Sequence, residues 1–255
     1  MDYSGSGDPQ RTIELLWGLP AKPRRGPKPK LTVDDIAATA IRLADTDGLA
    51  AVTLRRVAEE LGVTAMSLYG YVPSKAELLD LIADRVLRNY PGPDSDATPA
   101  VGWRPRLESI ARANWSLYLA HPWLLQIAAS RPVPGPNLTA KYDYELTAVD
   151  GLGLADTDMD LIIALINDYV RGAARTAVDA ARAEAETGST DQQWWEAIGP
   201  ALAQAADPAR FPVASRVGSA AGAEYGSAVD PARAFEFGLR RLLDGLERFI
   251  DDPNR

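Results

Sequence analysis

The chain has 255 residues, 46% of them hydrophobic, and a formal net charge of −8. This length suits two domains with substantial cores, and no apolar run approaches the roughly 20 residues needed to span a bilayer. The absence of cysteine excludes disulfide frameworks and thiolate metal sites, and the polar N-terminus does not resemble a signal peptide. We therefore expect a cytoplasmic protein. An acidic chain of this kind is not a nonspecific coat for nucleic acid, which would be basic.

Residues 1–30 form an N-terminal extension with two distinct parts. A short apolar patch at residues 13–17 is either a small helix that docks on the rest of the chain or a disordered start. Residues 21–30 then read AKPRRGPKPK, a Pro- and Gly-rich stretch that cannot be helical. Basic arms of this type lie along phosphates or in a minor groove, with an attraction that depends on salt. The cations assigned to such contacts are Arg24, Arg25, Lys28 and Lys30.

Residues 31–86 carry the start and stop signals of four helices. Thr32 followed by Asp35 has the form of a capping box, and apolar residues recur at helical spacing until a glycine ends the first helix. Thr53 can cap a second helix, in which one face is apolar and the other is charged. Both helices are therefore predicted to pack one face against a common core.

A tight turn follows the second helix. Gly62 supplies a permissive backbone, Thr64 starts a third, short helix, and Ser74 with Glu77 forms a second predicted capping box that opens a fourth helix. Two short helices joined by a glycine-containing turn form the unit whose second helix enters the DNA major groove. A small bundle that binds another protein can have the same spacing, but the adjacent basic arm favours DNA.

Residues 61–80 read LGVTAMSLYGYVPSKAELLD, and this segment resembles the N-terminal domain of the TetR/AcrR family of bacterial transcriptional regulators. The likeness covers residues 31–86 and implies a helix-turn-helix domain that binds operator DNA. One departure is Gly70, which stands where some members carry a large aromatic residue. Carried over residue by residue, with the helix caps included, the resemblance places these residues against DNA: Thr53, Arg55, Thr64, Ala65, Met66, Ser67, Tyr69, Tyr71 and Lys75.

The chemistry of these side chains differs from one to the next. Lys75 lies at the N-terminal end of its helix, where a cation suits a phosphate oxygen, and the alternative is a solvated surface lysine. Tyr69 and Tyr71 carry phenolic donors that reach phosphates, although one of them could instead pack against the bundle. Ala65 and Met66 can read only a thymine methyl or the groove shape. We therefore expect specificity from apolar contacts, from DNA shape and from the arginine at the start of the second helix.

Beyond residue 90 the chain changes character. The whole net negative charge belongs to this part, because residues 1–90 carry equal numbers of basic and acidic residues. Helical periodicity resumes after a connection at 91–105 and continues nearly to the end, which predicts an all-α protein. The predicted helices span residues 107–119, 123–129, 138–149, 156–186, 194–202 and 231–250, with an irregular stretch at 207–230.

Two of these helices have more apolar surface than one core face requires. The last follows a 4-3-4-3 apolar spacing, typical of a packed helix pair, and the long helix at 156–186 has an apolar stripe with small residues. Both could simply be central helices of a monomeric bundle. The TetR resemblance instead implies a homodimer in which these helices pack against their symmetry mates. The predicted interface residues are Leu165, Tyr169, Ala173, Ala177, Phe235, Leu239, Leu242, Leu246 and Phe249.

Residues 103–249 resemble a C-terminal ligand-binding domain of the tetracycline-repressor type, through HPWLLQ at 121–126 and FEFGLRRLLDGLERFI at 235–250. This resemblance implies a small-molecule pocket in each subunit. Most aromatic residues lie here and suit a planar, mainly apolar ligand, although aromatics at helical spacing are more often core residues. The predicted ligand contacts are Trp103, Trp115, Tyr118, Trp123, Gln126, Tyr142, Ile166, Asn167, Val170 and Trp194.

These features predict an N-terminal extension at 1–30, a helix-turn-helix DNA-binding domain at 31–90, and a helical ligand-binding and dimerisation domain at 91–255. The resemblance implies a repressor released from a palindromic operator by a small, largely apolar or aromatic effector, with no cofactor, metal or membrane partner. Ligand binding would tilt the fourth helix and move the two heads off register. A catalytic role is disfavoured, because there is no phosphate-binding glycine loop, metal-ligand spacing or His-based pair. A ligand-independent nucleoid binder is disfavoured by the aromatic-rich second domain.

Overall fold

The computed structural model describes residues 2–3, 5–19, 31–90, 101–128 and 133–252. The predicted basic arm, with Arg24, Arg25, Lys28 and Lys30, lies outside these residues. Among the described elements, all but two very short strands are helical, so the predicted all-α class is confirmed. No helix in the described ranges is both long and apolar enough to cross a membrane.

Eleven α-helices and two strands are found in the described residues, together with short 3₁₀ segments. In chain order they are β1 (Asp2–Tyr3), α1 (Pro9–Leu16), α2 (Val33–Asp47), a 3₁₀ turn (Leu49–Ala51), α3 (Leu54–Glu60), α4 (Ala65–Tyr69), α5 (Lys75–Arg85), a 3₁₀ extension (Val86–Asn89), α6 (Trp103–Ala120), a 3₁₀ segment (Pro122–Gln126), β2 (Ile127–Ala128), α7 (Pro136–Leu146), α8 (Asp156–Thr187), α9 (Asp191–Ala205), α10 (Pro212–Tyr225) and α11 (Pro231–Ile250).

The helix starts of the helix-turn-helix are set by short side chains that accept from the first free backbone amides. Thr32 and Asp35 form the predicted reciprocal capping box, while Thr53 and Thr64 accept from amides in the first turns of α3 and α4. The second predicted box does not form, because Ser74 accepts from the amide of the second residue of α5 and its hydroxyl donates to the Glu77 carboxylate. All four predicted helices are nevertheless present.

Contacts between Cα atoms divide the chain into two compact units, Met1–Ile166 and Asn167–Arg255. The core of the first unit packs α2, α3, α4 and α5 around fully buried Ile36, Leu68 and Ile82. Trp123 and Ile127, which follow α6, belong to the same core. The helix-turn-helix thus shares one hydrophobic core with part of the following chain.

The N-terminal extension forms a helix. Helix α1 starts with Asp8 as its cap and Pro9 at its first position, and Leu16 is buried in the core of the first unit. The docked-helix alternative is therefore correct. The predicted helix at 123–129 is wrong, because the chain there forms a 3₁₀ segment and then β2, which pairs in parallel with β1. The pairing partner is distant in sequence, so local periodicity could not indicate it.

In the second unit, the predicted irregular stretch at 207–230 contains helix α10. Glycine and serine inside α10 weaken its sequence signal. The structure gives Gly222 a packing role, since a Cβ atom there would lie 2.7 Å from the indole of Trp195 on α9. The helix ends at Gly226, whose φ of 65° is the left-handed conformation typical of a helix C-terminus.

Helix α11 is strongly amphipathic, and Leu243 and Ile250 lie on its buried face. Tyr169 on α8 stacks on Phe235 and donates its hydroxyl to the Phe235 carbonyl at 2.7 Å. A Cβ at Gly238 would lie 2.3 Å from the Tyr169 hydroxyl, so this glycine permits the close approach of the tyrosine. The remaining residues on the buried face are Phe235, Leu239 and Leu246.

Candidate nucleic-acid interface

Helix α4 presents a mixed surface to solvent. Its central Leu68 is fully buried in the core, which orients the rest of the helix outward. Met66 is 79% exposed and Tyr69 is 50% exposed, whereas Tyr71 is half-buried and packs against the core. Of the two tyrosines predicted at DNA, Tyr69 is therefore the one with a free surface. Ala65 also packs partly on the core, and Ser67 is exposed.

An open cleft of about 340 Å³ lies between the starts of α3 and α5 and the exposed end of α4. Arg55 and Lys75 contribute cations from two different helices, and Tyr69 contributes a phenol. Lys75 is the first residue of α5, so its charge adds to the positive end of the helix dipole. Such a cleft suits phosphate oxygens. The lining residues are Thr53, Leu54, Arg55, Tyr69, Pro73, Ser74 and Lys75.

Arg55 can exchange its present partner for DNA. Its side chain is 85% exposed, and its Nε donates to Glu59 at 3.0 Å in an i,i+4 pair. Exposed pairs of this kind contribute little free energy, so an incoming base or phosphate can displace the carboxylate. The neighbouring Arg56 is differently placed, because Glu60 binds both Arg56 and Arg42. The hydrogen bond from Arg42 lowers the pKa of Glu60.

The C-terminal end of α5 is connected to two other helices. Asp34, at the start of α2, pairs with Arg85 at 2.8 Å and with Arg88 at 3.0 Å. In the opposite direction, Asp84 accepts from the backbone amides of Asn137 and Leu138 at the start of α7, at 3.0 and 2.9 Å. Adjacent residues of α5, Asp84 and Arg85, thus contact α7 and the start of α2.

A buried polar cluster holds the end of the α5 extension. Glu145 on α7 is 1% exposed, and its Oε1 accepts from the Tyr90 hydroxyl at 2.9 Å, from Asn114 Nδ2 at 2.8 Å and from Lys141 Nζ at 2.6 Å. The Lys141 ammonium also lies 4.8 Å from the centre of the Tyr90 ring. Three elements therefore converge on one buried carboxylate: α6, α7 and the chain after α5.

The cluster gives Tyr90 a pH-dependent contribution to stability. Burial and the Glu145 carboxylate raise the pKa of Tyr90 above its ordinary value of 10.0. Above about pH 10 the unfolded chain releases this proton while the folded chain keeps it, so stability falls by up to about 1.4 kcal/mol per pH unit. Denaturant unfolding between pH 9 and 11 should show a shallower loss for Tyr90→Phe than for the wild-type protein. Parallel losses would contradict this assignment.

Trp123, one of the predicted ligand contacts, is buried in the shared core of the first unit, where its Nε1 donates to Asp45 of α2 at 2.6 Å. The same Asp45 oxygen lies 2.8 Å from His121 Nδ1. Because its ring and its donor are both already used within the chain, Trp123 is a packing residue that joins the end of α6 to the helix-turn-helix.

The other predicted ligand contacts do not share one environment. Tyr142 is exposed and donates to Asp160 at 2.6 Å, and Gln126 and Trp194 are also exposed. Ile166 and Val170 are fully buried. The half-buried residues are Trp103, Trp115, Tyr118 and Asn167. In the described ranges, no group of three His, Asp or Glu side chains is arranged to hold a metal ion.

The predicted dimer residues divide into core and surface positions. Phe235, Leu239 and Leu246 are buried in their own chain. Their helical spacing therefore reflects the face of α11 that packs on the core and not a surface available to a second subunit. Leu165 and Phe249 are exposed. The partly exposed members are Tyr169, Ala173, Ala177 and Leu242.

The sequence did not indicate the buried cluster around Glu145. The only local signal for it is the i,i+4 spacing of Lys141 and Glu145.

The fold and the cleft together define a helix-turn-helix DNA-binding protein with a helical C-terminal part. Residues 36–82 match the family "Bacterial regulatory proteins, tetR family", and residues 96–250 match "Tetracyclin repressor-like, C-terminal domain". The chain belongs to the TetR family of transcriptional regulators. Family membership supports a ligand-responsive transcriptional repressor and not an enzyme.

Individual proteins are similar over most of the chain. The HTH-type transcriptional repressor DrrR1 of Streptomyces coeruleorubidus is 45% identical over 98% of this chain and 89% of its own length. The crystal structure of the Streptomyces coelicolor TetR family protein ActR in complex with actinorhodin has a TM-score of 0.71 at 27% identity, covering 88% of this chain and 98% of ActR. A structure of BioQ with its double-stranded DNA operator has a TM-score of 0.50 at 27% identity, covering 60% and 89%.

Proposed function

We propose that the protein is a homodimeric repressor that binds a palindromic operator and is released by a small, largely apolar or aromatic effector. The cleft that carries Arg55, Tyr69 and Lys75 is the observation on which DNA binding rests. Two such clefts related by two-fold symmetry would contact successive major grooves. The similarity to the repressor DrrR1 favours repression. A DNA-binding regulator of this kind acts in the cytoplasm.

Within this proposal, residues 31–90 read DNA and residues 91–255 bind the effector and the second subunit. The basic arm adds Arg24, Arg25, Lys28 and Lys30, whose phosphate contacts would increase the salt dependence of binding. Thr64, Ala65, Met66 and Ser67 would face the bases from the first turn of α4, with Tyr71 beside them. Apolar contacts dominate this surface, so DNA shape contributes to sequence selection.

The effector site is proposed in the C-terminal part, with Trp103, Trp115 and Tyr118 of α6 as its aromatic wall. The ActR complex with actinorhodin supports an organic effector for a protein of this fold. Helix α7 is bonded to Asp84 near the start of the α5 extension and, through Glu145, to Tyr90 at its end. An effector that shifts α7 would therefore also move α5 and release the operator. An effector that binds the released conformation more tightly by a few kcal/mol is sufficient, since each 1.4 kcal/mol shifts the equilibrium tenfold.

The dimer is proposed to form through the exposed faces of α8 and α11. Leu165 and Phe249 are the predicted interface residues with the most accessible surface. An interface that buries large exposed apolar side chains is the usual basis of an obligate dimer. Phe237 is 59% exposed on the same helix as Phe249, and it extends the apolar surface that sequence spacing had already indicated.

Selection from sheared genomic DNA with the purified full-length protein tests operator binding. The selection is carried out at about 0.15 M salt with excess competitor DNA, and enriched fragments are sequenced and footprinted. A recovered palindrome with a two-fold footprint is the expected result, and the adjacent genes then indicate candidate effectors. Uniform recovery of fragments would show a nonspecific binder and contradict the proposal.

A further inference from the structure

Helix α5 carries three buried carboxylates on one face. Glu77, Asp80 and Asp84 follow an i, i+3, i+7 spacing, and they are 4%, 3% and 5% exposed. Buried acidic side chains are rare unless they are hydrogen-bonded, because transfer of a charge from water is costly. None of the three lies in the cleft proposed for DNA. Their hydrogen-bond partners must therefore account for the burial of three carboxylates on α5.

The first two carboxylates accept from backbone amides of the described N-terminal residues 2–3 and 5–17, which we call the strap, and Glu77 also accepts from the Ser74 hydroxyl. The Gly5 amide donates to both carboxylate oxygens of Asp80, at 3.0 and 3.3 Å. The Asp8 amide donates to Glu77 Oε1 at 3.2 Å. Because the donors are backbone amides, these hydrogen bonds fix the path of the main chain of the strap.

Glycine allows the close approach of main chain to the carboxylates. A Cβ atom at Gly7 would lie 2.6 Å from Glu77 Oε1. A Cβ atom at Gly135 would lie 2.3 Å from Asp84 Oδ1, at the start of α7. Gly5 has a φ of 69°, a conformation that side chains disfavour. A glycine that leaves room for a buried carboxylate of α5 is therefore found both at Glu77 and at Asp84.

The strap is also attached to the rest of the chain at both of its ends. Its first residues form β1, in which Asp2 pairs with Ile127 and Tyr3 with Ala128 of β2. Its last residue, Trp17, donates from Nε1 to the carbonyl of Pro134 at 2.9 Å. The strap thus connects the chain that follows α6 with the chain that precedes α7, and it contacts α5 in between.

We propose that Glu77 and Asp80 are positioning residues for DNA binding, which act by holding α5 against the strap. Lys75 is the first residue of the same helix, so the position of α5 sets the position of a predicted phosphate contact. A helix that is already held in position loses less conformational entropy on binding DNA than a mobile helix does. The proposal rests on the operator binding proposed above.

The first test replaces both carboxylates with their amides in the full-length protein. The double variant Glu77→Gln/Asp80→Asn should bind the operator about tenfold more weakly, because only part of the population keeps α5 in place. Affinity for a nonspecific duplex and the salt dependence should stay unchanged, since the cations remain. The matched control Asp143→Asn/Glu184→Gln makes the same charge change at exposed positions of α7 and α8.

A second variant perturbs the same contact from the strap and leaves α5 intact. Gly7→Ala introduces a Cβ against Glu77 and should also weaken operator binding selectively. If the α5 double variant fails to fold, this variant still tests the proposal. Operator affinities equal to those of the control in the folded variants would overturn it. Absence of sequence-specific binding by the wild-type protein would instead contradict the proposed function.

A reversible cross-link separates positioning from a general loss of stability. The chain has no cysteine, so Tyr3→Cys/Ala128→Cys creates a single candidate disulfide between register partners of β1 and β2. Added to Gly7→Ala, the oxidised form should recover most of the lost operator affinity, and the reduced form of the same sample should not. Equal affinities before and after reduction, with the disulfide verified by mass, would show that the strap does not position α5.

Discussion

Replacement of Lys75 by alanine is expected to weaken operator binding by about 30- to 150-fold. The loss of one charge-assisted phosphate contact costs roughly 1–1.5 kcal/mol, and a two-fold symmetric dimer loses two of them. The slope of log affinity against log salt concentration should fall by about 2, because two fewer counterions are released. Lys75 lines the cleft and is not part of the hydrophobic core, so the variant should remain folded.

Arg55→Ala provides a comparison within the same cleft. If the guanidinium contacts a base edge, the variant loses selectivity among operator sequences as well as affinity, whereas Lys75→Ala weakens binding evenly across sequences. Arg112→Ala is a matched control, since Arg112 is an exposed α6 residue in an i,i+4 pair with Glu108. Affinities measured by fluorescence anisotropy distinguish these cases. Unchanged binding by both cleft variants would remove the cleft as the DNA-binding site.

The helix-turn-helix could be predicted because its signals are local. The caps Thr32, Thr53 and Thr64 each accept from the amide three residues ahead, so the interaction is contained in the sequence window that reveals it. The exposure of Met66 and the burial of Leu68 follow from helical periodicity once the start of α4 is known. The DNA contacts themselves remain predictions carried over from the family resemblance.

The core and surface faces of α11 were harder to separate. The 4-3-4-3 spacing passes through Phe235, Leu239 and Leu246, which the structure places in the core of their own chain. The helix is apolar over more than one face, and spacing cannot tell which apolar face meets the same chain and which meets a partner. Only the tertiary packing shows that Phe237 and Phe249 remain exposed.

Features that depend on distant residues could not be predicted. Glu145 accepts hydrogen bonds from the Tyr90 hydroxyl and the Asn114 amide, which are 55 and 31 residues away in the sequence. Glu77 was predicted to be a helix cap because of its distance from Ser74, but it also accepts from Asp8, 69 residues away. In both cases a charged residue that would normally be assigned to the surface is buried, because the fold supplies its donors.

Glu145→Ala is expected to cost about 3–5 kcal/mol of stability, one of the largest effects of any single substitution outside the apolar core. The Lys141 side chain is only 11% exposed, so the substitution removes the Glu145 carboxylate from an ammonium that has little access to water. The Tyr90 hydroxyl and the Asn114 amide lose an acceptor at the same time. Denaturant unfolding at a fixed protein concentration measures this change, because a dimer's stability depends on concentration.

A double-mutant cycle shows whether the uncompensated charge is the cause. Lys141→Ala/Glu145→Ala removes the ammonium as well as the carboxylate, so the double variant should be more stable than the sum of the two single losses predicts. Arg182 and Glu186 on α8 form an ion pair with the same i,i+4 spacing in an exposed position, and Glu186→Ala should change stability little. Additive losses at the buried pair would mean that Lys141 reaches water when its partner is removed. The hydrogen bond from the Tyr90 hydroxyl to Glu145 would then be the main contact between the end of the α5 extension and α7, and Tyr90→Phe should weaken that contact.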